Sequence, residues 1–98
     1  MQYIIVTFEV TREGDHYISR CQELGTASFG RSEEEAVANV KEATLVYLNT
    51  LEDLGEREQV LKDRGIAVHR ANESADQKVT CPPNAIIHSA VFPVPAWA

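Results

Sequence analysis

The spacing of the apolar residues changes at Ser32, and this change restricts the chain to a mixed fold. Before Ser32, residues 3–10 place one apolar set on a single face of a predicted strand: Ile4, Val6, Phe8 and Val10. Such a pattern of alternation is typical of a strand with one buried face. After Ser32 the apolar residues recur at every third or fourth position, which predicts an amphipathic helix. The chain has 98 residues, the size of one domain, so we expect a single α+β core.

Two turn signals divide the part before Ser32 into three strands. Gly14, within residues 12–15, can supply the positive φ of a tight turn between the first strand and a second strand over residues 16–22. Leu24-Gly25 offers another turn into a short third strand over residues 26–29. We expect these three pieces to form an antiparallel meander.

A capping box opens the helical part of the chain. Ser32 is followed three residues later by Glu35, a pairing that satisfies backbone donors at a helix start. The helix predicted from here ends near Gly55, and its apolar stripe should cover one face of the sheet: Ala36, Val37, Val40, Ala43, Thr44, Tyr47, Leu48 and Leu51. A shorter helix over residues 56–64 should end at Gly65, and residues 66–68 should form a fourth strand. The predicted order is β-β-β-α-α-β, with the helices packed on one face.

The tail differs in character from the rest of the chain. We assign residues 1–70 to one domain and residues 71–98 to a linker and an extended apolar tail that is not an independent domain. Within the tail, residues 85–92 predict an extra strand that would add to a sheet edge of its own chain or of a neighbour, with Pro93 and Pro95 ending it. The apolar tail residues must dock against something, so they are the candidates for contact with a partner or an oligomer: Ile86, Ile87, Val91, Phe92 and Trp97.

Charge and composition narrow the classes of function. The chain carries 9 Lys and Arg against 15 Asp and Glu, a net charge of -6, which repels nucleic-acid phosphates and favours a basic protein partner. Its start lacks the basic leader of a secretory signal, so we expect no secretion. Prolines interrupt the apolar tail, so we expect no membrane span. We therefore expect a cytoplasmic protein.

No set of residues has the spacing of a catalytic, cofactor or metal site. The side chains that bind metals or act as nucleophiles are scattered: His16, Cys21, His69, Cys81 and His88. Glu9 and Glu23 are the acids on strands that deserve consideration, since most others lie on predicted helix surfaces. A dyad of Cys21 with His16 or His69 is the alternative to a simple packed thiol. We expect no catalytic residue, no cofactor, no metal and no enzymatic activity.

A set of ordered motifs runs through residues 14–48: Glu23-Leu24-Gly25, Gly30, Glu34-Glu35-Ala36, Asn39, Glu42-Ala43 and Tyr47-Leu48. This set resembles the HicB family of antitoxins, in which a turn, a short strand that closes on glycine, and a helix opening with Glu-Glu-Ala follow one another. The resemblance spans roughly residues 1–68. It implies a partial ribonuclease-H-like fold of order β-β-β-α-α-β and a role in binding and silencing HicA, a small basic ribonuclease toxin.

The chain departs from the family pattern in two features. Gln22 stands where the family usually has proline, and the tail after Arg70 is too short and proline-broken for the DNA-binding domain that many HicB proteins carry. We therefore expect no direct DNA binding. Three functions compete: a toxin-neutralising protein, an orphan HicB-like module for protein binding or oligomerisation, and an enzyme, which the lack of a carboxylate cluster disfavours. We also expect a homo-oligomer.

Overall fold

The computed structural model describes residues 2–70 and 85–94. The elements follow in this order: β1 (Gln2–Glu13), β2 (His16–Cys21), β3 (Ala27–Gly30), α1 (Glu33–Asp53), α2 (Arg57–Asp63), β4 (His69–Arg70) and β5 (Ala85–Val94). All five strands belong to one antiparallel sheet. The predicted α+β class is confirmed, as are the meander of β1 to β3 and the two helices that follow it.

The first strand, β1, lies at the centre of the sheet. It pairs with β2 through residues 8–13, with β4 through residues 2–3, and with β5 through residues 2–11. Because a strand has only two edges, β2 and β4 share one edge of β1 and β5 takes the other. β3 pairs with the far side of β2. In the described part of the chain, β3 therefore lies at one edge of the sheet and β5 at the other, while the two-residue β4 lies on the same side of β1 as β2.

Side-chain alternation gives the sheet a helix-side face and an open face. The predicted inward set of β1 is fully buried on the helix-side face: Ile4, Val6, Phe8 and Val10. Cys21 of β2 and Ala90 and Phe92 of β5 lie opposite members of this set and share its face. They complete a core that α1 and α2 close through Val40, Leu48 and Leu61. The open face carries the alternate residues, such as Ile5 and Glu9.

The serine half of the predicted capping box forms at the start of α1. Ser32 adopts an extended backbone, and its Oγ accepts a hydrogen bond of 3.1 Å from the backbone N–H of Glu35. The helix buries Ala36, Val40, Thr44, Leu48 and Leu51 against the sheet, which confirms the predicted stripe. It ends at Asp53, and Gly55, just beyond the cap residue Leu54, has a φ of 71° that lets the N–H of Glu56 reach back to the carbonyl of Leu51 at 2.8 Å.

The first half of α1 lies very close to β2 and β3. A Cβ added to Gly30 would stand 2.6 Å from the backbone nitrogen of Ala36, so only glycine fits at this crossing. Ser19 donates a hydrogen bond of 2.7 Å from its Oγ to the carbonyl of Ala36, and the hydroxyls of Thr26 and Thr44 lie 2.6 Å apart. These buried polar contacts fix the position of α1 on the sheet.

Arg57 attaches α2 to α1. The residue is 6% exposed, and its Nε and Nη2 donate to the carbonyl of Leu48 at 3.2 and 2.9 Å. The carboxylate of Glu52 lies 3.6 Å from Nε. A buried guanidinium is tolerated only when it is paired in this way, so Arg57 acts as a structural anchor between the two helices.

Two sequence predictions need correction. The fourth strand is His69–Arg70 and not residues 66–68, because Ile66 and Val68 pack their side chains on the core from an irregular segment. The tail strand does not end at Pro93: β5 continues to Val94. The predicted linker over residues 71–78, together with Cys81, Pro82, Pro83, Pro95 and Trp97, lies outside the described residues.

The direction of the backbone groups explains why proline is accepted inside β5. Gln22 donates its N–H to the carbonyl of Thr7 at 2.9 Å, so the odd-numbered residues of β1 direct their backbone groups toward β2. The even-numbered residues then face β5, where Ile4 pairs with Phe92 and Gln2 with Val94. Pro93 falls between these two pairs, and its nitrogen faces away from β1. Its missing N–H therefore costs no bond of the ladder.

Candidate binding surfaces

Several positions that resemble the HicB pattern make contacts within the fold. Gly25 has a φ of 76°, which its turn requires, and Gly30 permits the close approach of α1. Asn39 donates from Nδ2 to the carbonyl of Phe29 at 2.8 Å, and Leu48 lies in the core. These residues position the sheet and helix relative to each other. Glu34, Glu35 and Glu42 of the same pattern are instead exposed on α1.

Cys21 is a buried thiol of the core. It is fully buried, and burial raises its pKa, with a further upward contribution from the Glu23 carboxylate, whose Oε1 lies 3.8 Å from Sγ. Both candidate histidines lie on the other face of the sheet: His16 pairs with Glu13, and His69 pairs with Tyr3. Neither imidazole can act as a base for a thiol on the helix-side face. The fold favours the packed-thiol interpretation over the dyad.

The two strand-side acids are held by partners in the fold. Glu9 Oε2 lies 3.5 Å from Arg20 Nη2 and accepts a hydrogen bond of 3.3 Å from Gln22 Nε2. Glu23, which lies in the turn after β2, accepts the backbone N–H of Thr7 at 2.7 Å. Within residues 2–70 and 85–94, no group of three or more His, Cys, Asp or Glu side chains is placed to hold a metal ion.

The tail residues selected from the sequence separate into different environments. Ile86 and Val91 are 44% and 56% exposed, and Ile87 is half-buried. Phe92 is 4% exposed and belongs to the core, where its ring meets that of Phe8 with centroids 6.4 Å apart. Phe92 is thus a stabilising residue of this domain, while the other three remain at the surface. Trp97 lies outside the described residues.

A groove of about 550 Å³ runs between α1 and β5, and we call it the α1–β5 groove. The flank of α1 and the outer side of β5 line it together: Ala38, Lys41, Glu42, Leu45, Val91, Phe92 and Pro93. Leu45 is 47% exposed here, so the groove is largely apolar with one charge of each sign at its rim. Sequence reasoning did not select Leu45. Its spacing from Ala38 and Lys41 marks a second, narrower stripe on α1.

The outer surface of the helices is acidic. Its exposed carboxylates form what we call the acidic helix surface: Glu34, Glu35, Glu42, Glu52, Asp53, Glu56, Glu58 and Asp63. The exposed bases on α1, α2 and the caps of α2 are Lys41, Lys62 and Arg64, since Arg57 is buried against Leu48. This surface is therefore strongly negative and suits a basic partner.

The far end of the open face carries a second apolar patch. Phe29 of β3 is 63% exposed and Ile18 of β2 is 39% exposed. They lie beside His16, whose ring faces that of Phe29 at a centroid distance of 6.5 Å. The hollow at this place, about 590 Å³, is shallow and lies at the edge of the sheet opposite to β5.

By class, the chain is a mixed α+β domain with an antiparallel sheet, an acidic helix surface and an exposed apolar outer strand. No protein-family model matches the sequence, and no curated protein or solved structure shows significant similarity to it. None of the helices in the described part of the chain is long and apolar enough to cross a membrane.

Proposed function

We propose that this protein is a non-catalytic, antitoxin-like protein of the cytoplasm that binds and neutralises a small basic ribonuclease toxin of the HicA type. The observation that carries the proposal is the ordered set of motifs between Glu23 and Leu48, which resembles the HicB pattern. The order of β1, β2, β3, α1, α2 and β4 agrees with the fold that this resemblance implies.

The acidic helix surface supplies a physical basis for neutralisation. A ribonuclease of this kind must bind phosphates through basic side chains, and a protein that offers carboxylates to the same side chains competes directly with RNA. Opposite charges also accelerate the encounter of the two proteins. Asp53, Glu56 and Glu58 lie together around the junction of α1 and α2, which makes this junction the centre of the proposed toxin contact.

The alternative function is an orphan HicB-like module that binds proteins or oligomerises without a toxin. The exposed side chains of β5, Ile86 and Val91, favour this second candidate because they offer an apolar contact that needs no basic partner. In both cases we infer a homo-oligomer that does not bind DNA directly.

Binding to a HicA-type toxin tests the proposal. The full chain is co-expressed with a catalytically inactive HicA-type protein from the adjacent reading frame, captured, and its association rate is measured at low and high salt. We expect stable capture and an association rate that falls steeply with salt. A failure of capture would leave the orphan module as the function of this chain.

Paired charge reversals locate the contact. Asp53→Lys with Glu58→Lys should slow association at low salt by about tenfold. Glu13→Lys with Asp15→Lys makes the same change in net charge at the β1–β2 turn, which lies beside the start of α1 and not at its junction with α2, and should have a smaller effect. Equal effects of the two double variants would show that only net charge matters and that the acidic helix surface is not the contact.

A further inference from the structure

β3 and β5, which lie at opposite edges of the sheet, differ in how their edges are protected. β3 has only four residues, and Asn39 donates a hydrogen bond to the carbonyl of Phe29, which faces the outer side of this strand. β5 has ten residues, none of which is Lys, Arg, Asp or Glu. Among the described residues, no strand pairs with the outer side of β5. A long, uncharged outer strand is a template for pairing with another chain.

The backbone groups that β5 offers at this edge follow from its register with β1. Ile86, His88, Ala90, Phe92 and Val94 pair with the even-numbered residues of β1 and direct their backbone groups inward. The intervening residues, Ile87, Ser89 and Val91, direct theirs outward. Pro93 offers a carbonyl but no N–H, so the run of complete donors and acceptors ends before it.

We propose that β5 pairs with β5 of a second copy of this chain, antiparallel about a two-fold axis at Ser89. This axis sets Ser89 against Ser89 of the partner subunit and Ile87 against Val91 of the partner subunit. Each of these pairs exchanges both of its backbone hydrogen bonds. Pro93 falls beyond the run, where its missing N–H costs least. An axis at Val91 would instead set Pro93 against Ser89 and lose bonds within the ladder.

The side chains around this axis are compatible with a second copy of themselves. On the open face, the exposed Val91 meets an Ile87, an apolar pair of the kind that stabilises neighbouring strands. On the helix-side face, the exposed Ile86 comes opposite a Phe92. The adjoining α1–β5 groove has Lys41 and Glu42 at its rim. A second copy carries the same two charges, so a positive charge of one copy can face a negative charge of the other. A self-complementary patch of this kind defines an isologous dimer.

This interface deepens the homo-oligomer inferred above. It uses β5 and the flank of α1, and it leaves the junction of α1 and α2 free for a toxin. Dimerisation is therefore measured on the full chain alone, and toxin capture is measured separately, so that the failure of one does not imply the failure of the other.

Molar mass by light scattering over a dilution series tests the dimer. We expect a dimer for the parent chain, and Val91→Lys should raise its dissociation constant by about tenfold or more, because a charge replaces an apolar pair on each side of the axis. Phe29→Lys is the matched control, since it puts the same charge on an exposed apolar residue of the other outer strand. It should leave the dimer intact. A monomeric parent chain, or equal behaviour of the two variants, would overturn the proposal.

A cross-link tests the position of the axis. In a Cys81→Ser background, Ser89→Cys puts two thiols on residues whose Cα atoms lie about 5.5 Å apart in such a pair, within the range that a disulfide spans. We expect a covalent dimer under mild oxidation. Ala27→Cys, on the exposed edge of β3, is the control and should give little covalent dimer. Equal yields from the two variants would contradict the axis at Ser89.

A third outcome separates the two partners. If the parent chain is monomeric and Val91→Lys abolishes toxin capture, the edge of β5 belongs to the toxin and not to a second copy. Circular dichroism of each variant is compared with the parent, and Ser89→Pro supplies a second test if Val91→Lys misfolds. Its lost N–H faces outward like that of Pro93, so it should remove the dimer while keeping the fold.

Discussion

Asn39 of α1 reaches past the edge of β3 and donates a hydrogen bond of 2.8 Å to the carbonyl of Phe29. This carbonyl faces outward, because Ser28 and Gly30 are the residues of β3 that direct their backbone groups toward β2. The amide of Asn39 thus holds the short outer strand to the helix and occupies an acceptor that another strand would use.

Replacing Asn39 should weaken the fold at this edge. We expect Asn39→Ala to lower the free energy of unfolding by about 1 kcal/mol, the usual contribution of one such hydrogen bond. Urea unfolding followed by circular dichroism measures it. Asn49→Ala, at an exposed position of the same helix, is the control and should change stability by less than about 0.5 kcal/mol. Similar effects of the two variants would argue that the bond to Phe29 has no stabilising role.

The apolar stripe of α1 should dominate stability. Val40 and Leu48 are 0% and 2% exposed, and truncating either to alanine should lower the free energy of unfolding by roughly 2 to 4 kcal/mol. Val46, which is 58% exposed on the opposite side of α1, gives the control Val46→Ala. Calorimetry or denaturant unfolding compares the three variants. A loss for Val46→Ala as large as that for Val40→Ala would contradict the packing described here.

The raised pKa of Cys21 predicts a loss of stability at alkaline pH. The unfolded thiol ionises near its ordinary pKa of 9.0, whereas the buried thiol stays neutral to higher pH. Deprotonation then favours only the unfolded chain, so this component of stability is complete below the ordinary pKa and is lost as the pH rises through the raised one. Unfolding at neutral pH and at about pH 10 should show a larger loss for the parent than for Cys21→Ala. Equal losses would exclude this role of Cys21.

We expect the purified protein to cleave no RNA, with or without Mg²⁺. Glu9, an acid of the central strand, is engaged by Arg20 and Gln22, and nucleases that use Mg²⁺ need carboxylates converging on the ion. A fluorogenic RNA substrate measures the activity. Cleavage that disappears in Glu9→Gln would reveal a catalytic site at this strand and would revive the ribonuclease-H comparison as chemistry.

Removing residues 79–98 should destabilise the whole domain. This deletion takes away β5, which covers one edge of β1 over residues 2–11 and contributes Ala90, Phe92 and Val94 to the core. Thermal unfolding and light scattering should show a lower melting temperature and aggregation. Deletion of residues 95–98 alone is the control and should leave the sheet intact. A chain without residues 79–98 that keeps its stability, solubility and size would show that the tail is dispensable.

The sequence predicts the first half of the fold well because its signals are local. Ser32 and Glu35 lie within one helical turn, and Gly14, with a φ of 64°, fits the tight turn between β1 and β2. The alternation of β1 is equally short in range. The fourth strand was misplaced because Ile66 and Val68 satisfy the same demand for burial in an irregular segment as they would in a strand.

The candidate contact residues were harder to predict because their environment depends on a distant partner strand. Alternation in β5 separates Phe92 from Val91, but only the pairing with Ile4 shows that Phe92 faces the core. The sequence does not predict the structural role of Arg57 for a related reason. In a charged stretch it resembles a solvated helix residue, and only the arrangement of α2 against the carbonyl of Leu48 buries it.

The pairing of β1 with β5 has a consequence for the protein during its synthesis. β1, β2, β3 and α1 can assemble as soon as they leave the ribosome, but one edge of β1 finds its partner only when residues 85–94 have been made. Until then the nascent chain exposes an unpaired apolar strand, the kind of surface that chaperones recognise and that drives aggregation. Translation that stops before β5 would therefore release a chain that is prone to aggregate. The fold that forms earlier is protected from aggregation only once β5 pairs with β1.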